Sequence, residues 1–413
     1  MLTPDKVFRP GKLPINPGNV YANRGESENE FKKSLRRGFI PLVFGEYGVG
    51  KTSMARHIVK SNYDEDKLVN VESVADKDIS DVISQCLEKI GYSVERKKTD
   101  HNSETRSLEQ GAEASIGIDW IKAKIFSKRA NSSTQGGTVE SEFIVKSPTD
   151  SKVIELCEDN GIILILDELH RATDSFLDDL VKFIKAYGNS NCDNFKIILL
   201  GTSSDPSKLV QKDPGIDRLI EDLHLKSMDD DERQQLVSSG MNDLAIAISD
   251  EALRKLVSVC VGSPNILQYL CLESSEAAFE REPRNLELAD VNDAVEEYVK
   301  KKESRLYRTY MQAVENQGAK RYRKQILRAM SEIEDEYVTM EQIRSKVESY
   351  LDVEVRAQDL SGSLRKLKET QYGPVLRDIE KNDGSGTIQN YTTFIDPALK
   401  AFIRMQVLRE GNG

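Results

Sequence analysis

Residues 39–54 have the sequence Phe39-Ile-Pro-Leu-Val-Phe-Gly-Glu-Tyr-Gly-Val-Gly-Lys-Thr-Ser-Met54. The apolar run at its start predicts a buried β-strand, and the residues from Ser53 to Val59 have the spacing of an amphipathic helix. Between them lies a Gly-x-x-x-x-Gly-Lys-Thr pattern, which is the sequence of a P-loop. A strand, this loop and a helix in that order predict a binding site for a nucleoside triphosphate.

The residues of the P-loop have separate roles in holding a triphosphate. Glycines let the backbone curl so that successive N–H groups converge on phosphate oxygens, and the following helix directs its positive dipole end at the same anion. Lys51 supplies a point charge to the outer phosphates, and the Thr52 hydroxyl can bind Mg²⁺. The predicted nucleotide contacts are Gly45, Glu46, Tyr47, Gly48, Val49, Gly50, Lys51, Thr52 and Ser53.

A second apolar run ends in two carboxylates. Residues 162–166 are Ile-Ile-Leu-Ile-Leu, which predicts a parallel strand buried on both faces, and Asp167 and Glu168 follow directly. Ligand sites of parallel α/β sheets lie at the carboxyl ends of the strands. We therefore expect Asp167 to hold Mg²⁺ through its water shell. We expect Glu168 to orient and deprotonate the water that attacks the γ-phosphate.

Two other segments are each compatible with a ligand role and with a structural role. After a predicted buried strand at 195–200, the hydroxyl groups of Thr202 and Ser204 either contact the γ-phosphate or cap the next helix. Upstream of the P-loop, Val20 and Tyr21 either contact a purine base or belong to an ordinary docking segment. The sequence leaves both pairs of alternatives open.

Length and composition predict a soluble, helix-rich protein in the cytoplasm. The chain has 413 residues, 38% of them hydrophobic and 31% charged. It contains no apolar run of membrane-spanning length and no secretory signal at its N-terminus. Five cysteines without a CxxC pair and four histidines favour reduced thiols and exclude an obvious zinc site.

The charge of the chain is distributed unevenly. The formal net charge is −11, but residues 300–413 contain 21 lysines and arginines against 17 acidic residues. The acidity of the whole chain argues against nonspecific coating of nucleic acid. The C-terminal excess of positive charge is compatible with a small basic module there.

The order of predicted elements divides the chain into three domains. Strands and helices alternate over 1–227, which predicts a three-layer α/β domain with a parallel sheet and a last strand at 223–227. Only helical spacing follows over 228–305, which predicts an all-α lid. Residues 306–413 contain three helical stretches followed by two strand-like stretches, the order of a winged-helix domain. Within the first domain, 93–148 is an insertion with a predicted β-hairpin at 114–129, which either contacts nucleic acid or a neighbouring subunit or is solvated.

The third helix of the predicted winged-helix domain is the candidate for a DNA contact. It begins near residue 357 and ends near 369. Acidic residues lie close to its basic ones, so a protein-docking role is the alternative to DNA binding. The basic residues expected to contact DNA are Arg356, Arg365, Lys368 and, on the wing, Lys381.

The ordered set of motifs resembles the AAA+ ATPases of the origin-recognition initiator type. The set consists of the P-loop, Asp167-Glu168, residues 201–205, a helical lid with Gly262-Ser-Pro264, and a C-terminal winged helix. The Gly-x-Pro of the lid is equally similar to the STAND signalling ATPases. The resemblance implies ATP and Mg²⁺ as ligands, with Pro264 beside the nucleotide.

The same resemblance implies roles for three further positions. Ser204 falls where initiators place a sensor asparagine, with Thr202 as the rival. Arg218 falls where such families place an arginine that reaches into the site of a neighbouring subunit. Asn265 stands where initiators usually have a lid arginine, which predicts slow hydrolysis.

Two hypotheses follow for the function. The first is an ATP-hydrolysing switch that assembles with itself or with a partner ATPase and holds duplex DNA through its winged helix. The second is a STAND-like signalling ATPase, for example in antiviral defence, whose winged helix docks a separately encoded effector protein. In both, the γ-phosphate is what distinguishes the two conformations.

Overall fold

The computed structural model describes residues 2–11, 20–72, 74–75, 77–94, 143–145, 149–202, 205–315, 322–335, 337–351, 353–382 and 388–411. The chain divides into two compact units. The sheet unit consists of Gly25–Gly45 and Met54–Leu225, and the helical unit consists of Met1–Arg24, Glu46–Ser53 and Lys226–Gly413. The hairpin predicted at 114–129 lies outside the described residues.

Strands occur in both units. In chain order they are β1 (Ile40–Phe44), β2 (Leu68–Val71), β3 (Tyr92–Val94), β4 (Phe143–Val145), β5 (Ile163–Leu166), β6 (Lys196–Gly201), β7 (Ile220–His224), β8 (Ala247–Ile248), β9 (Asn285–Leu286), β10 (Leu376–Asn382) and β11 (Ile388–Phe394).

The α-helices are α1 (Pro4–Val7), α2 (Gly25–Arg36), α3 (Lys51–Asn62), α4 (Ile79–Lys89), α5 (Asp150–Asp159), α6 (Asp174–Gly188), α7 (Asp205–Lys212) and α8 (Asp230–Leu244). They continue with α9 (Asp250–Val259), α10 (Pro264–Phe279), α11 (Leu288–Lys302), α12 (Arg308–Val314), α13 (Arg323–Glu332), α14 (Met340–Leu351), α15 (Ala357–Lys366) and α16 (Pro397–Gly411).

The sheet unit is built on a five-stranded parallel sheet with the strand order β2-β5-β6-β1-β7. One strand, β6, therefore separates β1 from β5, and Leu199 is in register with both Leu42 and Leu166. Because all the strands are parallel, their carboxyl ends lie along one edge of the sheet. Gly45, Asp167 and Thr202 are the residues that follow β1, β5 and β6 at this edge, and the predicted α/β class is confirmed.

Burial explains why the central strands form where the sequence predicted them. Every residue of β5 and β6 is buried, as a strand covered on both faces requires. The edge strand β7 is different, because only Leu223 is buried in it. It begins at residue 220, three residues earlier than the strand predicted at 223–227. The prediction missed this start because Glu221 and Asp222 interrupt the apolar pattern.

The carboxylate of Glu158 holds the start of β6. It accepts hydrogen bonds from the backbone N–H groups of Asp193, Asn194 and Phe195 at distances between 2.7 and 3.1 Å. Burial opposes ionisation of this carboxyl group, but the N–H donors outweigh it, so the pKa of Glu158 is lowered. The strand that ends at Thr202 thus has a well-anchored beginning.

The helical unit has its own apolar core, which includes residues from its first and last helices. Val7, the last residue of α1, and Phe8 after it are fully buried in this core, as are Phe402 and Ile403 of α16. The sequence predicted neither helix. Within the same unit, Thr339 caps α14, with its hydroxyl accepting from the Gln342 N–H.

The C-terminal part of the helical unit contains an antiparallel hairpin. Strands β10 and β11 pair over their full lengths, from Leu376 opposite Phe394 to Asn382 opposite Ile388. Helices α13, α14 and α15 precede the hairpin and α16 follows it, packing against α13. Among the described residues, no helix combines the length and apolar composition that a bilayer crossing requires. All five cysteines are free thiols.

Candidate nucleotide-binding site

The P-loop connects the end of β1 to the start of α3. Gly48 and Gly50 have φ angles of +81° and +97°, which only glycine adopts without strain. Lys51 begins α3, so Thr52 and Ser53 lie in its first turn, where backbone N–H groups have no partner within the helix. The loop therefore presents the features of an anion site that its sequence predicts.

Lys51 is folded back over the loop. Its Nζ donates to the carbonyl oxygen of Glu46 at 2.7 Å and lies 5.9 Å from the centre of the Tyr47 ring. The Tyr47 side chain is itself 45% exposed. This acceptor is a neutral carbonyl oxygen, which a phosphate oxygen can replace with a stronger, charge-assisted bond.

Arg24 contacts the P-loop, although it was not among the residues predicted for the site. Its guanidinium donates to the carbonyl oxygens of Val49 and Lys226, each at 2.6 Å. Its Nε donates to the Glu232 carboxylate at 3.1 Å, and its side chain is only 5% exposed. A single arginine upstream of a P-loop carries no motif, so no sequence signal marks this role.

The lid turn at residues 261–264 lies against the P-loop within the helical unit. Val261 and Gly262 both have positive φ, at +51° and +72°, and the Ser263 hydroxyl caps α10. A Cβ atom on Gly50 would lie 3.5 Å from Pro264 Cγ, so this proline is next to the loop. Asn265 stands at the position where initiators have a lid arginine. Its side-chain NH2 group donates a hydrogen bond to the carbonyl oxygen of Pro10.

The P-loop also contacts the C-terminal hairpin. The Glu46 carboxylate accepts a hydrogen bond from the hydroxyl group of Thr393 in β11 at 2.6 Å. Thr393 is 1% exposed, so the hydroxyl group that donates this bond is shielded from solvent. Residues 46 and 393 are 347 positions apart, and no sequence pattern predicts this contact.

In the sheet unit, Asp167 and Glu168 occupy the carboxyl end of β5. The Asp167 N–H donates to the carbonyl of Val71 at 3.0 Å, and its Oδ1 accepts from the Glu168 N–H at 2.7 Å. Glu168 has a left-handed backbone with φ of +55°. Its carboxylate pairs with Arg171 at 2.9 Å. Strain of this kind in a non-glycine residue is typical of functional positions.

The remaining predicted ligand residues lie in different surroundings. Thr202 is buried directly after β6, and Ser204 lies outside the described residues. Arg218 is exposed and lines a groove of about 470 Å³ together with Lys185 and Asp217.

The two upstream candidates for a base contact both belong to the helical unit. Val20 is 3% exposed in the core of that unit, and its N–H donates to the Val7 carbonyl at 3.1 Å. Tyr21 beside it is partly exposed. The structure thus gives Val20 a core position, and Tyr21 retains some accessible surface.

Oxygen ligands suitable for Mg²⁺ are present in each unit. Mg²⁺ in nucleotide enzymes usually takes one or two protein oxygens together with phosphate oxygens and water. The Thr52 hydroxyl and the Asp167 carboxylate have this chemistry. No group of three His, Cys, Asp or Glu residues suited to an all-protein metal site occurs in the described part of the chain.

Three of the candidate DNA contacts lie at or beside α15, and the fourth lies in the β10–β11 hairpin. Arg356 and Arg365 are 74% and 78% exposed, with acidic neighbours Asp359 at 3.4 Å and Glu369 at 3.7 Å. Lys368 makes a closer pair with Asp378 of β10, at 2.5 Å. Lys381 lies in β10, opposite Gln389 of β11.

The sheet unit has the fold of a P-loop NTPase. Residues 31–212, a little under half of the chain, match the family described as the KAP family P-loop domain. Strands β1, β2, β5 and β6, the loop after β1 and the acidic pair after β5 lie within the matched residues, and the edge strand β7 lies beyond them. No curated protein matches the chain.

Several solved structures are similar to the chain along its length. The Walker-type ATPase PABY2304 of Pyrococcus abyssi is 16% identical, with a TM-score of 0.49, covering 95% of this chain and 99% of that one. The Aeropyrum pernix ORC2 protein in its ADP form is 15% identical, with a TM-score of 0.47 and 98% of both chains covered. The Aeropyrum pernix ORC1 protein in complex with DNA is 13% identical, with a TM-score of 0.44, covering 99% of this chain and 98% of that one.

Proposed function

We propose that the protein is an ATP-hydrolysing switch in which nucleotide at the P-loop controls the helical unit and its assembly with a like subunit or partner. One observation carries this proposal. The P-loop segment Glu46–Ser53 belongs to the helical unit, where it contacts Arg24, the lid turn at Pro264 and Thr393 of the C-terminal hairpin. A phosphate that reorders this segment therefore acts directly on both the lid and the hairpin.

The chemistry assigned to each residue follows from its type and position. P-loop N–H groups and Lys51 bind the phosphates, and Thr52 with Asp167 would hold Mg²⁺, which supplies positive charge to the β- and γ-phosphates. Glu168 takes the proton of the attacking water once its carboxylate leaves Arg171.

The other predicted positions of the site have supporting roles in this proposal. Thr202 or Ser204 senses the γ-phosphate, and Arg218 serves the site of a neighbouring subunit. With Asn265 bound to Pro10 where initiators have an arginine, the lid of this chain supplies no cation from that position. We therefore propose slow turnover, as suits a switch.

Replacing Lys51 by Ala tests the nucleotide site. We expect the dissociation constant for Mg²⁺–ATP to rise by about 10- to 100-fold, because a charged hydrogen bond to phosphate is lost. Isothermal titration calorimetry measures the affinity, and light scattering after gel filtration measures assembly with and without ATP. Lys60→Ala is the matched control, since Lys60 lies on the same helix but pairs with Glu65. Unchanged affinity and assembly in Lys51→Ala would contradict the proposal.

We further propose that α13, α14, α15 and the β10–β11 hairpin form a winged-helix module that binds duplex DNA. The two exposed arginines support it, because partners at 3.4 and 3.7 Å exert a weak hold on Arg356 and Arg365. The tight pair between Lys368 and Asp378 favours the alternative, a surface that docks a protein effector. These two roles differ in their dependence on salt.

A salt-dependent gel-shift assay with duplex DNA separates the two roles. For a DNA-binding module we expect binding that weakens steeply between about 50 and 200 mM salt. Arg356→Glu with Arg365→Glu should then weaken binding by about tenfold or more and reduce the salt slope by roughly two. Lys300→Glu, an exposed charge on α11, is the control. No shift at low salt would reject DNA and favour protein docking.

A further inference from the structure

Arg24 brings three separate parts of the helical unit together on one guanidinium group. Its acceptors are the Val49 carbonyl in the P-loop, the Lys226 carbonyl at the start of the lid, and the Glu232 carboxylate in the first turn of α8. A guanidinium presents its donors in a rigid planar fork. The positions of the lid acceptors therefore determine where the Val49 carbonyl is held.

The orientation of Glu232 is itself fixed by the start of α8. Its Oε2 accepts from the Asp229 N–H at 3.0 Å, while the Asp229 side chain accepts from the Glu232 N–H, which completes a capping box. Its Oε1 remains for Arg24. The first turn of the lid helix, the carboxylate and the arginine thus form one connected set of bonds.

The bond to Val49 determines the direction of the next N–H group. In a trans peptide the carbonyl and the N–H point in opposite directions, so a Val49 carbonyl directed at Arg24 sends the Gly50 N–H to the other side. Gly50 is close to the arginine, since a Cβ atom there would lie 3.6 Å from Nη1. In P-loops, N–H groups of this loop hold the α- and β-phosphates.

We propose that Arg24 is a positioning residue of the nucleotide site, which holds the Val49–Gly50 peptide in its phosphate-binding orientation and links it to the first turn of α8. The inference rests on the proposed nucleotide function of the P-loop. Arg24 acts through the peptide and touches no phosphate. Because ADP and ATP share the β-phosphate, loss of Arg24 affects the binding of both equally.

The test compares Arg24→Gln and Arg24→Lys with the parent protein. We expect the dissociation constants for ATP and ADP to rise together, roughly tenfold, since a charge-assisted bond to a buried carbonyl is lost. Lysine should not restore affinity, because one ammonium group cannot span the three acceptors. Phosphate release at saturating ATP should stay within about threefold of the parent. Arg254→Gln, an exposed arginine on α9, is the matched control.

A purely structural role for Arg24 predicts a different result. The melting temperature without nucleotide would then fall while both affinities stayed at the parent value, and that result would overturn the inference. If Arg24→Gln does not fold, Glu232→Gln decides, because its one amide oxygen can still accept from the Asp229 N–H in the capping box, whereas its NH2 group cannot accept from Arg24. We expect it to weaken ATP and ADP binding by about threefold, and unchanged affinity would reject the proposal. Failure of the parent itself to bind ATP would instead reject the nucleotide function.

Discussion

Glu168→Gln is expected to reduce phosphate release from ATP by about a hundredfold or more, because a general base contributes roughly 10²–10⁴ to such a reaction. Glutamine has the same shape as glutamate but cannot take the proton of the attacking water. The left-handed backbone at this position, with φ of +55°, imposes a similar strain on either residue. The fold and the ATP affinity should therefore be retained.

The measurement is the steady-state release of phosphate at saturating Mg²⁺–ATP, with calorimetry to confirm that nucleotide still binds. Arg171→Gln is the matched variant, because Arg171 is the ion-pair partner of Glu168 at 2.9 Å. An exposed pair of this kind is worth at most about 1 kcal/mol, so its rate should change by no more than roughly fivefold. A Glu168→Gln protein that releases phosphate at the parent rate would show that Glu168 is not the base.

Gly262→Ala is expected to destabilise the helical unit by about 3 kcal/mol, combining left-handed backbone strain with overpacking. Gly262 has a φ of +72°, and a Cβ atom there would lie 2.7 Å from Ser227 Cβ and 3.0 Å from the Met228 carbonyl oxygen. The backbone atom cannot move aside easily, because the Met228 N–H also donates to the Gly262 carbonyl at 3.1 Å. The lid turn beside the P-loop would have to shift.

Thermal unfolding of the nucleotide-free protein measures this effect as a fall of roughly 5–10 °C in the midpoint of the helical unit. Gly362→Ala provides a control of opposite sign. It lies inside α15 with nothing within 4 Å of an added Cβ, and alanine there should stabilise the helix by up to about 1 kcal/mol. Equal effects of the two substitutions would contradict the assigned strain.

The sequence predicted the fold best for strands that are buried on both faces of the sheet. The runs at 39–44 and 162–166 are apolar throughout, and the run at 195–200 is apolar except for Lys196, because β1, β5 and β6 are covered on both faces. The observed strands lie within one residue of these runs. The edge strand β7 and the last helix α16 gave weaker signals. Charged residues interrupt β7, and α16 has buried polar side chains, including Lys400 and Arg404, that remove a one-sided apolar pattern.

Local motifs of the candidate site could be predicted from the sequence, whereas its long-range contacts could not. The glycines of the P-loop have the positive φ angles that their spacing requires, and Asp167 and Glu168 follow β5 as expected. The bonds from Arg24 to Lys226 and from Thr393 to Glu46 join residues 202 and 347 positions apart. Such contacts depend on how the helical unit packs, and a single sequence does not encode them in any local pattern.

The hydrogen bond between Glu46 and Thr393 has a consequence for the biosynthesis of the protein. Ribosomes release a chain from its N-terminus onwards, and early segments begin to fold while later ones are still being made. Residue 46 leaves the ribosome long before β11 exists, so the P-loop lacks its hairpin neighbour until residue 393 has been made. A prematurely terminated chain that stops before residue 388 retains every residue of the ATPase motifs but lacks this neighbour, and it is therefore not equivalent to the finished protein.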